Sequence, residues 1–300
     1  MKSLTSRALT ATFAMALIVL FSCVPVLAAP SNTRSSGRSS AQGEDKADGD
    51  IRVSFIDVGK GDCALVQAGD KAVLIDAGYD NTSSTVTSYL RSQGVEHLDH
   101  LILTHYDRDH VGGLSAIAKA FDVNAVHLPN YEGADKNYNK VMTEVKRLGL
   151  KAVPVTKTQS IRLEDAQLDI YPSKLKYVIE PGEDEGNDND LSLVTALTYR
   201  NDSYLFAGDL EEEGIEAYLA AKHGHYDVLK MPHHGDKADN NVDFLDDVSP
   251  KIVVITDSKA DPASKKTLKL FDKSGVTTYR TATDGTIAIK SDGTGRYSVE

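Results

Sequence analysis

Cysteine is scarce in this chain and tryptophan is absent. The 300 residues include two cysteines, Cys23 in an apolar N-terminal stretch and Cys63 in the region that follows it. If the N-terminal stretch is removed during export, one thiol remains and no internal disulfide can form. The stability of the folded part must then come from an apolar core or from a bound metal ion.

The chain also lacks a surplus of basic residues. Its 33 lysines and arginines face 44 aspartates and glutamates, which gives a formal net charge of -11 at pH 7. Loss of Lys2 and Arg7 with the N-terminal stretch would make this balance more acidic. Such a surface repels polyanions at long range, so the sequence does not predict a basic platform for nucleic acid.

The longest apolar run lies at the N-terminus. Residues 1–29 place Lys2 and Arg7 before the run FAMALIVLF and end in small side chains. This order is typical of a secretory signal, and Val26, Leu27 and Ala28 fit its cleavage site. We therefore expect an exported protein.

Two alternatives to cleavage stay open. The tetrapeptide LFSC resembles a lipoprotein signal, although Phe21 is bulky for that role, and residues 8–29 are long enough for an uncleaved N-terminal anchor. Residues 30–50 contain no aliphatic or aromatic side chain larger than alanine and predict a flexible, disordered linker. The expected location is secreted or extracytoplasmic, with anchoring through the N-terminal segment as the variant.

From residue 51 onward the chain alternates short apolar runs with amphipathic stretches. The runs IRVSFIDV, CALVQAG and KAVLIDAG are separated by glycine and aspartate turns and predict a meander of antiparallel strands. Helix-like and strand-like stretches then alternate, and a second cycle repeats this order. Strands in two sets with helices between them predict sheet layers covered by helices. We expect one domain over residues 51–300.

The stretch LTHYDRDHVGG follows the continuous apolar run of a predicted buried strand. It contains His105, Asp107, Asp109 and His110, followed by two glycines that permit a tight turn. Ligands bind at the carboxyl ends of strands in such folds, and imidazole and carboxylate are common ligands of zinc and related ions. The alternative is a polar turn in which Asp107 or Asp109 caps a helix and the histidines are exposed.

Two further strand ends carry side chains of the same types. His233 and His234 follow the apolar run VLKM, and Asp209 follows the run YLFAG. Adjacent histidines point in different directions in an extended chain, so at most one of the pair is expected to bind metal. A surface histidine pair and a helix-capping aspartate are the structural alternatives, but a carboxylate at a third strand end can also bridge two cations.

Other polar residues have simpler explanations. Asp57, Asp62 and Asp76 lie in strand turns, where aspartate bonds to backbone amides, and are expected to support the site rather than form it. Cys63 is expected to be a small buried residue, and Lys230 a charge at a strand edge.

Seven motifs in order resemble the metallo-β-lactamase superfamily. More narrowly they are similar to the hydrolase domain of ComEC-type competence proteins and to a free-standing, exported relative of it. The similarity covers essentially all of residues 51–300. The motifs are DVGKGD, LIDAG, LTHYDRDHVGG, NDLSLV, FAGDLE, LKMPHHGD and YRTATDGTI.

The resemblance implies an α/β fold, an αββα sandwich of mixed, mostly antiparallel sheets with helices on the outer faces. It also implies a dinuclear metal cleft at one edge. In that cleft the first metal is bound by His105 and Asp107, the second by Asp109 and His110, Asp209 bridges both, and one of His233 and His234 completes the set.

The sequence departs from the superfamily pattern at several positions. Asp107 stands where many members have histidine, as is usual in the competence subgroup. No histidine occupies the third metal motif, so either Asn189 or Ser192 substitutes for it or the first metal is loosely held. Lys60 replaces a common glutamine, and Asp236 replaces the serine that usually follows HHG, which puts a negative charge where an anionic substrate would dock.

The leading hypothesis is an exported dinuclear metallohydrolase. We expect two divalent metal ions, Zn²⁺ first and Mn²⁺ as the alternative, which activate water for attack on a phosphodiester of DNA or of a cell-wall polymer. Asp109 and Asp209 are the expected catalytic carboxylates. Hydrolysis of a lactone, thioester or β-lactam is the alternative among enzymes, and a catalytically impaired metal-binding module is the alternative outside them. No protein partner is predicted.

Overall fold

A computed structural model describes residues 50–133, 136–178 and 187–300. The predicted signal segment 1–29 and the predicted linker 30–50, apart from Asp50, lie outside the described residues. Within the described ranges no helix has both the length and the apolar character needed to cross a membrane.

The described chain alternates strands and helices as the sequence pattern predicts. The strands are β1 (Ile51–Phe55), β2 (Ala64–Ala68), β3 (Lys71–Ile75), β4 (His97–Leu98), β5 (His100–Ile102), β6 (Asp122–Val123), β7 (Val126–Pro129), β8 (Ala152–Val155), β9 (Gln159–Leu163), β10 (Ala166–Tyr171), β11 (Val194–Tyr199), β12 (Asp202–Phe206), β13 (Val228–Lys230), β14 (Ile252–Ile255), β15 (Thr277–Arg280), β16 (Ile287–Ser291) and β17 (Tyr297–Val299). The α-helices are α1 (Ser83–Ser92), α2 (Arg108–Val111), α3 (Leu114–Ala120), α4 (Lys136–Leu148), α5 (Glu212–Ala221), α6 (Asn241–Val248), α7 (Lys265–Ser274) and α8 (Thr281–Asp284).

Two mixed sheets form the centre of the domain. The first has the order β17-β16-β1-β2-β3-β5-β7-β8, and the second has the order β15-β14-β13-β12-β11-β10-β9. The predicted meander is present, since β2 pairs antiparallel with both β1 and β3. From β3 onward the first sheet is parallel, and β12 to β15 are parallel in the second.

Three apolar layers hold these sheets and helices together. One lies between the sheets and includes Val53, Ile102 and Phe206. A second joins the first sheet to α1, α3 and α4, and a third joins the second sheet to α5, α6 and α7. Strands buried on both faces need near-continuous apolar sequences, which is what LILT and IVVI provide. The predicted αββα sandwich with helices on its outer faces is confirmed.

The two glycines of LTHYDRDHVGG serve close packing rather than an unusual backbone conformation. Gly112 and Gly113 both have negative φ angles, -57° and -77°. A Cβ at Gly113 would overlap the carbonyl oxygen of Ala77, and a Cβ at Gly112 would overlap the amide of Asp80. Glycine is therefore required because α2 and α3 press against the loop that follows β3.

Candidate metal centre

The site forms where strands of both sheets end. His105 follows β5 of the first sheet, while Asp209 and His234 follow β12 and β13 of the second. These strands end at the same edge, and their polar side chains meet in the gap between the sheets. This is the position at which parallel sheets place ligand sites.

Four side chains form the centre of the site. Asp109, His110, Asp209 and His234 each offer a ligand atom, and these atoms lie within 4.8 Å of one another. Oδ2 of Asp209 lies 3.1 Å from Nε2 of His110 and 3.0 Å from Nε2 of His234, and Oδ2 of Asp109 lies 3.3 Å from Nε2 of His234. His110, His234 and Asp209 are buried, while the Asp109 side chain keeps 21% of its surface exposed. The centre therefore opens to solvent beside Asp109.

His105 extends this centre on the side of His110. The two imidazole rings lie 4.1 Å apart between centroids. Nδ1 of His105 lies 3.1 Å from Thr104 Oγ1 and 3.3 Å from Ser192 Oγ, whereas its buried Nε2 has no hydrogen-bond partner. A buried ring nitrogen without a partner is costly unless it binds something, so this atom is available to a cation.

Ser192 and Asn189 do not take the place of a third-motif histidine in the structure. Ser192 Oγ contacts Nδ1 of His105, on the side of the ring away from the unpartnered Nε2, and accepts a hydrogen bond of 3.0 Å from the Asp209 amide. Asn189 donates to Glu211 at 3.0 Å. Both residues support the site from behind.

Asp107 lies at the edge of the site. Its Oδ2 is 3.8 Å from Nε2 of His105, and 43% of its side chain is exposed. Asp107 occupies the position that caps α2, but its side chain makes no capping hydrogen bond. The carboxylate therefore has no structural task in the helix and is oriented loosely toward His105.

The histidine pair divides as expected, with one ring in the centre and one outside it. His233 and His234 both have left-handed backbone angles, with φ of 44° and 51°. His234 turns inward to Asp209, while His233 turns outward, and its Nδ1 lies 3.0 Å from Glu211 Oε1. The structure does not bring His233 into the group of converging ligand atoms. Left-handed non-glycine residues cost free energy and cluster at functional sites.

A second layer of carboxylates lies behind the histidines. Nδ1 of His110 lies 2.8 Å from Asp76 Oδ2, and Asp76 also accepts hydrogen bonds from the amide and hydroxyl of Thr104. Asp62 accepts a hydrogen bond of 2.6 Å from Thr256, whose hydroxyl is 3.1 Å from Nδ1 of His234. Carboxylates in this position fix the tautomer and orientation of metal-binding histidines. Asp62 and Asp76 have the supporting positions that the sequence predicted, whereas Asp57 bonds its own turn at Gly59.

Lys230 is the functional residue that sequence analysis missed. The prediction of a strand-edge charge is wrong, since Lys230 is 2% exposed and lies at the centre of the second sheet. Its ammonium forms an ion pair with Asp62, lies 3.3 Å from Asp209 Oδ1 and donates to the Gly208 carbonyl at 3.0 Å. A lysine inside a buried apolar run, directly before a histidine motif, was the signal. Lys230 occupies one oxygen of Asp209 and leaves the other to the histidines.

The electrostatics of the centre favour a cation. Burial opposes every charge there, but Asp209 raises the pKa of His234 to about 10 and raises that of His110 well above its usual range. Those imidazoles hold the pKa of Asp209 well below its usual range against the same burial. Burial and the neighbouring His110 lower the pKa of His105, which keeps that ring neutral as a metal ligand must be.

The residues present fit a divalent metal ion. Three imidazoles and two carboxylates converge, and Nε2 of both His105 and His234 is buried without an aligned hydrogen bond. This nitrogen and oxygen donor set suits zinc and manganese. The alternative explanations, capping aspartates and surface histidines, do not describe Asp209, His105, His110 or His234.

Comparison with known proteins identifies the family. The family model of the metallo-beta-lactamase superfamily matches residues 56–256. The chain belongs to the metallo-beta-lactamase superfamily.

The curated relatives are competence and recombination proteins. The chain is 27% identical over 271 residues to ComE operon protein 3 of Bacillus subtilis, covering 82% of this chain and 34% of that protein. It is 27% identical to Recombination protein 2 of Haemophilus influenzae, covering 70% and 25%, and 28% identical to Competence protein ComA of Neisseria gonorrhoeae, covering 69% and 27%. The chain thus spans about a quarter to a third of the length of these relatives, and the predicted similarity to ComEC-type proteins is confirmed.

Solved structures agree on the fold. A CmlA beta-hydroxylase mutant superposes with a TM-score of 0.53 at 15% identity, covering 84% of this chain and 55% of that one. The metallo-beta-lactamase fold protein YhfI from Bacillus subtilis superposes with a TM-score of 0.50 at 13% identity, covering 81% of this chain and all of that one.

Proposed function

We propose that the protein is an exported, metal-dependent hydrolase of phosphodiester bonds. The observation that carries this proposal is the buried convergence of Asp109, His110, Asp209 and His234 at the solvent-accessible edge of the two sheets. Such a centre has no role in packing the apolar core, and its buried carboxylates are costly unless a cation balances them, be it a protonated imidazole, the Lys230 ammonium or a metal ion.

The chain offers a stronger and a weaker metal position. Asp109, His110, Asp209 and His234 would hold the cation at the stronger position, while His105, Asp107 and the shared Asp209 would hold the cation at the weaker one. We propose Zn²⁺ as the ion at both positions, with Mn²⁺ as the alternative. A bound cation of this kind supplies an acidified water and stabilises negative charge that develops on oxygen.

The protein side chains orient the reaction. Among the four side chains of the centre, Asp109 is the one that keeps part of its surface exposed. Its carboxylate can therefore take up the proton of an attacking water and pass it to the leaving group. Lys230 and the hydroxyl of Ser192 fix Asp209, and Asp76 fixes His110. The catalytic roles proposed for Asp109 and Asp209 thus depend on groups that hold them in place.

Relatives named as competence and recombination proteins support a phosphodiester as the bond that is cut. DNA and a cell-wall phosphodiester are both compatible with the centre. The acidic composition disfavours long DNA, because polyanions are repelled at a distance.

Hydrolysis of bis-(p-nitrophenyl) phosphate tests the proposal. The Zn²⁺- or Mn²⁺-loaded protein is expected to release nitrophenolate, and the double variant with Asp209→Asn and His105→Ala is expected to lose this activity. His127→Gln, which changes a buried histidine outside the centre, is the matched control and is expected to keep it. Turnover that survives the double substitution would refute the assignment of the site.

A binding module that has lost catalysis, with or without a bound metal, is the second candidate. It is favoured by the exposure of Asp107 and by the position of Ser192 behind His105, which leave the weaker metal position with few ligands. Elemental analysis after purification without chelator separates the two functions. Two metals per chain support the hydrolase, and fewer than one supports the module.

Export is proposed from residues 1–29 and is tested independently of activity. The full chain expressed in a bacterium is expected outside the cytoplasm, with a new N-terminus close after Ala28. An intact N-terminus on membrane-bound protein would indicate the anchor instead.

A further inference from the structure

A charged contact joins the two sheets at the edge of the metal centre. Lys60 lies in the turn between β1 and β2, and Asp236 lies two residues after His234. Nζ of Lys60 is 2.8 Å from Asp236 Oδ2 and 3.2 Å from Asp261 Oδ2. The Lys60 ammonium is mostly covered, Asp236 is partly exposed and Asp261 is exposed.

This contact borders the side on which the centre opens. A Cβ on Gly61, next to Lys60, would lie 3.0 Å from the Cβ of Asp109 and 2.8 Å from the Asp109 carbonyl oxygen. On the other strand end, Oδ2 of Asp236 lies 4.0 Å from Nε2 of His233. Lys60 is thus the neighbour of a residue that packs on Asp109, and Asp236 lies beside the outward-turned His233, so both charges border the opening of the centre.

Both partners are also among the charged departures from the superfamily pattern noted in the sequence. Taken singly, Lys60 adds a positive charge beside the opening and Asp236 adds a negative one. In the folded protein they are bonded to each other. Together with Asp261 the group carries one positive and two negative charges, so the opening is slightly negative rather than attractive to phosphate.

The effect on binding follows from this arrangement. An ammonium already held by two carboxylates gains little from a phosphate, and each carboxylate repels it. A phosphodiester with uncharged groups on both sides places a single charge in the centre itself. A polynucleotide also places neighbouring phosphates beside Asp236 and Asp261.

We propose that the Lys60–Asp236 ion pair determines substrate specificity by withholding the Lys60 ammonium from polyanions and favouring phosphodiesters without neighbouring phosphates. This inference rests on the proposed phosphodiesterase function, and it names the substrate class of that same site. Lys60 and Asp236 act here on binding and are not catalytic residues.

Binding of a 5′-fluorescein-labelled dT12 oligonucleotide to the Mn²⁺-loaded full chain tests the inference by fluorescence anisotropy. Asp236→Asn keeps the shape of the side chain, removes its charge, and leaves Lys60 with the exposed Asp261 as its remaining carboxylate partner. At low salt we expect about fivefold tighter binding than wild type, since a partly exposed ion pair is worth up to about 1 kcal/mol. The dependence of log affinity on log salt should steepen by about 0.7, the value of one added phosphate contact on a single strand.

Two further variants isolate the ion pair. Asp243→Asn removes the same charge from an exposed position of α6 and should leave binding within twofold of wild type. Adding Lys60→Met to Asp236→Asn should abolish the gain. Equal tightening by Asp243→Asn, or an unchanged affinity for Asp236→Asn, would overturn the inference.

Hydrolysis measured on the same samples keeps the two proposals apart. The inference expects Asp236→Asn to raise the ratio of kcat/KM for dT12 over bis-(p-nitrophenyl) phosphate. If no variant hydrolyses either substrate while Asp236→Asn still binds dT12 more tightly, the proposed function fails and the assignment of Lys60 and Asp236 stands. A ratio that stays at the wild-type value despite turnover counts against the inference alone.

Discussion

Two groups of buried or half-buried histidines in this domain have opposite electrostatic character. In the metal centre, His110 and His234 contact Asp209 directly. On β5 and β7, Nδ1 of His100 lies 2.9 Å from Nε2 of His127, and His127 Nδ1 lies 3.0 Å from the amide oxygen of Gln159. Among the residues that the structure describes, no carboxylate forms a hydrogen bond with either ring of this second pair.

The difference shows which property of a histidine pair indicates metal binding. Burial alone lowers the pKa of a histidine: it lowers the pKa of His100, and it lowers that of His127 to about 4 with a contribution from His100. In the metal centre the carboxylates reverse this direction for His110 and His234. Convergence with carboxylates, rather than burial or the proximity of two imidazoles, therefore separates a cation site from a neutral hydrogen-bonded pair.

The largest expected effect comes from the same substitution made in each group. His110→Gln removes a ligand nitrogen from the centre and should weaken Zn²⁺ binding on the order of a thousandfold, since changes one layer further out already cost about 10–100-fold. His127→Gln should leave Zn²⁺ affinity unchanged. Competition with a chromophoric chelator measures both, and equal losses would show that the two groups do not differ as described.

A second prediction concerns Lys230, whose buried ammonium balances the carboxylates of the metal centre. Lys230→Met leaves Asp62 and Asp209 buried beside an apolar side chain, and breaking such a pair costs about 3–5 kcal/mol. We expect the free energy of unfolding of the metal-free protein to fall by about 3 kcal/mol in urea. Lys60→Met, at the partly exposed ion pair, should cost less than about 1 kcal/mol. Similar losses in both variants would mean that Lys230 contributes little to the balance of charge.

Local patterns predict most of this fold. The meander, the alternation of strands with helices and the three polar strand ends follow from runs of apolar residues and from the turns between them. Strand β9 and helix α6 are not predicted. In β9 apolar and polar residues alternate along an edge strand that pairs only with β10, and α6 has three buried positions. Such segments depend on the neighbours that cover them.

The sequence predicts which residue types form the site, but it does not predict how the fold arranges them. Sequence alone cannot choose between His233 and His234, because the choice depends on two consecutive left-handed residues rather than on the extended chain assumed for them. The burial of Lys230 is missed because lysine is mostly exposed, and its partner Asp62 lies far away in the chain. The pairing of Lys60 with Asp236 likewise exists only after both sheets have packed.

The His100–His127 pair should make the free energy of unfolding decrease at acidic pH. The pKa of His127 is about 4 in the folded protein, below the usual 6.5, so the unfolded chain takes up the proton more readily. The contribution of neutral His127 to stability is therefore fully present above about pH 6.5 and is lost as the pH falls toward 4. We expect wild type to lose about 2 kcal/mol more than His127→Gln between pH 7 and pH 4.5, measured by urea unfolding. Identical pH profiles would contradict a neutral buried His127.

The smallest expected effect concerns the difference between Asp107 and Asp109 within the metal centre. Asp107 is exposed at the edge, whereas Asp109 belongs to the converging ligand atoms. Asp107→Asn should lower kcat/KM for bis-(p-nitrophenyl) phosphate by about fivefold, comparable to the loss of an exposed charge, and Asp109→Asn by at least about a hundredfold. If Asp107 helps to hold the ion at the weaker position, the zinc content of Asp107→Asn should fall toward one per chain. Equal kinetic losses would mean that a bound cation draws Asp107 inward, and the weaker metal position would then be completed by the metal rather than by the fold.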